Sequence, residues 1–433
     1  MKSAILQLLL CMPLGAAAQQ DWVWQERADM PMPTSNNAVC AAVVGGAEKV
    51  YSFGGITTGL DIAAIHREAF EYDVLSDAWA VLPSVPDTSG KIASAASVVN
   101  GVAYVIGGYH VLNGPPYERS SNKVHRLDLS TGTWLPDGAP VPIPIDDHVQ
   151  AVWRDSLIYV VSGWSNTTNV NAVQIYDPAS DAWTTGTSVP NTTLYKVFGA
   201  SGTIIGDTIV YYGGASTSVD FPAQDHIRKG VIDPVAPGVI SWSAAQATSR
   251  PSYRAGCGIY AGVPYWVGGS AVSYNYDAVA YNGSGVVAPV AEIVVPGPGG
   301  SGLVEIPADV ALMDLRGLGV LQAGSFHVCG GIGTDAEVLS TNWVVSPVVA
   351  VHPLDRGTVT IHPNPTRGIL HIDAGSGGEQ LVEVLDALGR VVLRTISIGP
   401  VRTVDASGLT PGQYLLKLSG AGAVKQIRFW LVN

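Results

Sequence analysis

The sequence predicts an all-β protein: six four-stranded sheets set in a ring, followed by a small β-sandwich. Glycine doublets recur along the chain at steps of 50 to 62 residues, and most are followed by an Asp-containing turn and a tryptophan. The last 76 residues depart from this pattern in both charge and motif. Composition agrees with sheets. Charged residues make up 13% of the 433, well below the usual quarter, while 50 Gly, 11 Trp and 17 Tyr accompany only 6 Phe. Sparse charge, many turn-forming glycines and polar-tipped aromatics suit an extracellular β protein. A net charge of −12 lacks the field that non-specific nucleic-acid binding needs, so no nucleic-acid partner is expected. A hydrophobic content of 47% excludes disorder.

The first element is an address. Lys2 precedes an apolar run from Ala4 to Leu14, and Ala16-Ala17-Ala18 precedes Gln19. This pattern predicts a secretory signal peptide over residues 1–18. The run is shorter than the roughly 20 residues a membrane span requires, and no other stretch qualifies, so no transmembrane segment is expected. Cys40, Cys257 and Cys329 would then remain, far apart, odd in number and each inside an apolar run. They are expected to act as small hydrophobes, with one pairing left open.

Next come the repeats. Apolar runs ending in Gly-Gly span Val50 to Gly55, Val102 to Gly108, Ile209 to Gly214, Val263 to Gly269 and Phe326 to Gly331, and a sixth ends Ser162-Gly163-Trp164. Turns with a following Trp are Tyr72-Asp73 with Trp79, Leu127-Asp128 with Trp134, and Tyr176-Asp177 with Trp183; Asp233 with Trp242 is a looser copy. Each unit reads as four short strands. Adjacent glycines permit a sharp turn and close backbone approach, and Trp packs between neighbouring sheets. A four-stranded sheet cannot bury both faces alone, so such units stack radially into a β-propeller. The pattern is least regular near the fifth and sixth units, where Tyr276-Asp277 lacks a following Trp and residues 285–320 are rich in Gly and Pro. Trp22-Val23-Trp24 looks like a Trp strand without the start of its repeat, and Glu337 to Val345 like a repeat without its Trp strand. Joining them would close a ring of six blades. Over residues 21–346 these combined motifs resemble the kelch repeat, which implies a kelch-like β-propeller.

Residues 347–357 read as a linker, and residues 358–433 carry a net charge of +2 against −14 for everything before. Short strands alternate with Pro and Gly turns, predicting an immunoglobulin-like sandwich of about seven strands. Pro363-Asn364-Pro365-Thr366, then Asp386 with Gly389-Arg390, then Leu409 with Pro411-Gly412 and Tyr414 occur in order. This tail is similar to the type A C-terminal sorting domain of the type IX secretion system of Bacteroidota. The resemblance implies export by that machinery, with Pro363, Asn364, Pro365, Gly389, Pro411, Gly412 and Tyr414 as the sorting motif. It also implies tail removal at the outer membrane, leaving the protein extracellular or on the cell surface.

Candidate binding residues fall on loops at the channel mouth, where every blade contributes. Asn37, Lys91, His148, Lys196 and Arg254 lie 14–17 residues before the first glycine of each doublet. Pointing inward, they would form a mostly cationic ring suited to an anionic ligand such as a carboxylate-bearing sugar. Pairing with Asp146, Asp147 or Asp225 is the competing expectation. The longest loop insertion, residues 109–122, adds Tyr117 and Arg119 as a contact surface. No nucleophile elbow, zinc motif or phosphate loop appears. A copper oxidase resembling galactose oxidase would draw on His66, His110, His148 and His226 with Tyr109, Tyr117, Tyr195 or Tyr253, but the cysteines fall in strands. An epimerase resembling the bacterial sialic-acid kelch proteins would draw on Arg250, Arg254, His148 and Asp147. The expectation is a secreted protein- or glycan-binding propeller with no cofactor, metal or catalytic residue assigned, and a carbohydrate-active enzyme as the alternative.

Overall fold

The structure, a computed structural model, describes residues 21–297, 302–348, 360–373, 379–386, 390–398, 401–420 and 423–432. Among these the chain is almost entirely β, with one short 3₁₀ turn at Ile62–Ala64. The candidate signal peptide, most of the linker and Gly389 lie outside the described residues. No described helix is long and apolar enough to cross a membrane. Contacts divide the chain into two compact units, meeting between Val348 and Val349.

The first unit holds six antiparallel sheets, each built on a path of four paired strands; the second and fourth carry a further short strand, Glu118–Ser120 and Gln246–Ala247, and Trp164–Ser165 and Thr168–Asn169 form a small two-stranded sheet. Their innermost strands are Ala38–Val44, Ile92–Val99, Val149–Trp153, Phe198–Ile205, Gly256–Tyr260 and Gly319–Val320. Each touches the inner strand of the next, and the sixth touches the first, so the six surround one axis. The sixth sheet is completed from the other end of the unit: Trp22–Arg27 pairs antiparallel with Asn342–Pro347, placing Trp24 opposite Val345 and Glu26 opposite Trp343. Trp22 is buried and stacks on Phe326 with ring centroids 5.0 Å apart.

The repeated residues are the joints between sheets. The indole N–H of Trp79 donates to the carbonyl of Ala28, Trp134 to Pro83, Trp183 to Ala139 and Trp242 to Thr187, at 2.7–3.0 Å. Each acceptor lies just beyond the outer strand of the preceding sheet. Asp77 and Asp181, both at positive φ, use one oxygen twice. Asp77 Oδ1 accepts from Tyr72 Oη and the Ala28 N–H, and Asp181 Oδ1 from Tyr176 Oη and the Ala139 N–H. The doublets work at the opposite ends of the strands. The N–H groups of Gly108, Gly214, Gly269 and Gly331 donate to Ile145, Ser252, Leu312 and Thr34 of the neighbouring blade. A Cβ on Gly213 would sit 2.3 Å from the Ser252 carbonyl oxygen, a distance no side chain tolerates. Where the sequence has Ser162 instead, φ is still +51°, and its hydroxyl bonds the carbonyls of Val170 and Val197.

The fifth sheet departs from the sequence reading. Tyr276-Asp277 is not its third strand; that strand is Glu292–Pro296, paired with Leu303–Pro307, from inside the Gly/Pro-rich stretch. Residues around Tyr274 and Tyr281 instead form a loop on the propeller end where the doublets lie.

In the second unit, Thr360–His362, Ile369–Asp373 and Val401–Asp405 form one sheet, and Val391–Ile398, Glu379–Leu385, Gly412–Gly420 and Ala423–Leu431 another. A shared core of Leu370, Ile372, Val382, Val384, Leu416 and Phe429 joins them. Asn364, expected from the sequence to belong to the sorting motif, clamps the last strand, donating to the Arg428 carbonyl (3.2 Å) and accepting from the Trp430 N–H (3.0 Å). Tyr414 Oη donates to the Thr410 carbonyl at 2.6 Å, closing the turn that carries Pro411 and Gly412.

Candidate functional site

At the start of the inner strands one residue per blade adopts a left-handed backbone: Asn36, Ala93, Asp147, Gly199, Arg254 and Asp314. They form a hydrogen-bonded ring around the axis. Asp147 N–H donates to Ala93, Gly199 to Asp147, Arg254 to Gly199, Leu315 to Arg254 and Asn36 to Asp314, all at 2.8–3.0 Å. The remaining gap is bridged by Asn36 Oδ1, which accepts from the Ala93 N–H at 2.7 Å. A positive φ costs energy for the five non-glycine members, and the ring of bonds offsets it.

A buried ion network fills this ring. Arg254, 1% exposed, grips Asp147 through Nε (3.1 Å) and Nη2 (2.6 Å) and Asp314 through Nη1 (2.9 Å). Asp314 also accepts from Ser35 Oγ and Asn36 Nδ2. Arg316 lies 3.4 Å from Asp147 and donates to the His148 carbonyl. Burial pushes the Asp147 carboxyl up, but the charges of Arg254 and Arg316 prevail and hold it below its ordinary value. The next residue behaves oppositely. Burial, then the charge of Asp147, carries the Asp146 carboxyl well above the carboxylate range. Its surroundings therefore favour the proton-carrying form of Asp146, whose Oδ2 accepts from Ser120 Oγ at 2.5 Å.

Above the network lies a cleft of about 130 Å³ lined by Tyr109, Glu118, Asp146, Asp147, Trp164, Phe198, Phe221, Arg254 and Tyr281. Four aromatics form one wall: Trp164, Phe198, Phe221 and Tyr281 meet edge to face with centroids 5.1–6.1 Å apart. Glu118 comes from the short strand Glu118–Ser120 that folds back on the second sheet. Burial raises its carboxyl, opposed by Arg254. A second cavity, about 270 Å³, runs along the inner strands and is lined by His148, Gln150, Cys257 and Arg316 among small residues.

The cationic ring expected from the sequence does not form. Arg254 is spent on two carboxylates. Lys91 is buried away from the cleft beside Asp87 (3.2 Å), where burial lowers its affinity for a proton despite that partner. His148 faces the axial cavity, and burial followed by the charge of Arg316 pushes it down to about 4, so it is neutral. Asn37 is buried and bonds Ser52. Lys196 is half-buried and outside the cleft, and Tyr117 and Arg119 are exposed on the tip of the 109–122 hairpin. The residues weighed for an epimerase separate, since Arg250 pairs with Glu292 and Glu305. Those weighed for copper scatter: His110 bonds Ser89, His226 pairs with Asp225, and no His or Cys lines the cleft. Among the described residues no group of three or more His, Cys, Asp or Glu could hold a metal. All three described cysteines are free thiols.

The aromatic wall went unread in the sequence. Its signals were present: Trp164 directly follows Gly163, and two of the six Phe sit here. Tyr281 lies between Tyr276-Asp277 and the Gly/Pro-rich stretch, where the repeat pattern is weakest.

Comparison with known proteins places these features. Residues 18–228 match the KLHDC2/KLHL20/DRC7 kelch-repeats domain, and residues 360–432 match the secretion system C-terminal sorting domain. The chain is 28% identical over 228 residues to the kelch-like protein terF of Aspergillus terreus, covering 49% of this chain and 48% of that protein. It is 27% identical over 173 residues to kelch-like protein 25 of Xenopus tropicalis, covering 39% and 26%. The chain thus spans about half or less of these relatives' length. Among solved structures, YjhT superposes with a TM-score of 0.58 at 14% identity, over 73% of this chain and 95% of that one. A fungal alcohol oxidase of the AA5 family, in complex with copper, superposes with a TM-score of 0.51 at 12% identity, over 95% and 99%. At such identities both likenesses concern the fold.

Proposed function

We propose, for a chain that carries kelch repeats and ends in a type IX sorting domain, that the propeller is an extracellular glycan-binding module acting through the mouth cleft. The sorting domain implies export to the cell surface or beyond it; removal of residues 1–18 on the way belongs to the same proposal. The observation that carries the binding reading is the pairing of an aromatic wall with carboxyl groups in one concave site. Such a site suits a ring with an apolar face and hydroxyl edges: the aromatics cover the face, and Glu118 and Asp146 bond the edge. A purely apolar protein anchor would strand those carboxyls. A glycan array followed by calorimetry on the full chain tests the reading. Phe221→Ala should weaken saccharide binding by about two- to tenfold, the value of one aromatic contact; unchanged affinity would retire the cleft as the site.

A second reading, a carbohydrate-active enzyme, is favoured by one feature. Asp146, whose burial favours its protonated form, and Glu118 line the same cleft and could act there as proton donor and proton acceptor. Conversion of any bound sugar, followed by NMR and lost in Asp146→Asn with binding retained, would establish it. No role for copper is proposed.

A further inference from the structure

Resting on the cleft being a saccharide site, we infer that it selects a sugar bearing an ammonium group, an amino sugar, over neutral and acidic ones. Charge accounting around the cleft carries this. The lining has one cation, Arg254, and its guanidinium is engaged by Asp147 and Asp314. The second nearby guanidinium, Arg316, faces the axial cavity and shares Asp147. Two arginines thus answer two aspartates, leaving no free positive charge to receive a ligand carboxylate.

The unanswered group is Glu118. Its side chain is half-buried in the cleft wall, and no described residue bonds or pairs with its carboxylate. Asp146, 2% exposed, lines the same cleft with only Oδ2 engaged by a described partner. Both therefore offer oxygen acceptors to a ligand. The rings of Trp164, Phe221 and Tyr281 line the same cleft, and an aromatic face attracts a cation and not an anion. A carboxylate placed here would meet Glu118 with like charge in a partly desolvated site, whereas an ammonium would find both an ion partner and an aromatic cage.

The test is calorimetric titration of the full chain with D-glucosamine, D-glucose and D-glucuronate at neutral pH. Glucosamine should bind at least about tenfold more tightly than glucose, and glucuronate more weakly than either. In Glu118→Gln, checked for an unchanged melting temperature, the ratio of glucosamine to glucose affinity should fall below about threefold, whatever the change in glucose affinity itself. Glucuronate equalling or exceeding glucosamine would overturn the charge preference and leave the saccharide site standing. Binding by none of the three, with glycan-array binding also absent, would remove the site itself.

Discussion

Replacing Arg254 by Leu tests the central ion network as a strut. The guanidinium is 1% exposed and makes three charge-assisted bonds, to Asp147 at 3.1 and 2.6 Å and to Asp314 at 2.9 Å. Leucine fills part of the space but leaves two carboxylates facing each other, with Arg316 alone near Asp147. Breaking one partner out of a buried pair costs about 3–5 kcal/mol, a large part of the roughly 5–15 kcal/mol that holds a typical domain folded. Urea unfolding followed by tryptophan fluorescence should show that loss at neutral pH. The sign with pH follows from Asp147. In the native protein its carboxyl sits below the ordinary value, so the pair's contribution is present above the unfolded carboxylate value and is lost as pH falls through the folded one. In the variant, burial acts on Asp147 opposed only by Arg316, and protonation relieves the unpaired charge. The gap between native and variant should therefore narrow as pH is lowered. Arg254→Lys should rescue little, because a single ammonium cannot reproduce the three-bond fork. An unchanged midpoint for Arg254→Leu, or a gap that stays constant into acid, would refute the strut and return Arg254 to the role of a free ligand-binding cation.

Ring closure predicts that Trp22→Ala costs about 3–5 kcal/mol, since Trp22 stacks on Phe326 and meets Tyr265 edge to face at 5.0 Å; deleting residues 21–30 should abolish cooperative melting, and a deletion that melts like the full chain would contradict a six-residue closing strand. Residues 346–433 fused to an inert reporter should carry it to the surface of a type IX-competent host, whereas a reporter retained in the periplasm, with the tail folded, would count against the sorting assignment.

The repeat was legible because its residues make local, repeated bonds. Trp79, Trp134 and Trp183 each reach one carbonyl of the preceding blade, and Asp77 and Asp181 each tie a turn to that blade. Bonds of fixed geometry demand fixed residue types at fixed spacing. The fifth sheet was illegible for the converse reason: Glu292–Pro296 and Leu303–Pro307 hold their places by strand pairing and apolar packing, which many sequences satisfy. The site followed the same division. The sequence indicated the loops at the mouth, and Arg254 and Tyr109 do lie there. Spacing could say only that Lys91, His148 and Arg254 occupy similar positions, with no information on where each side chain turns.

Order along the chain belonged to the sequence: glycine doublets, turn aspartates and tryptophans dictate four-stranded units, and the tail carries its own motifs. Charge at the centre belonged to the tertiary structure. Asp147, Arg254 and Asp314 are 107 and 60 residues apart along the chain and meet only when the ring closes. Coulomb interaction and desolvation depend on distances and burial that exist only in the folded state. The same step sends adjacent Asp146 and Asp147 in opposite directions, one carboxyl raised by burial at the cleft and the other lowered between two arginines.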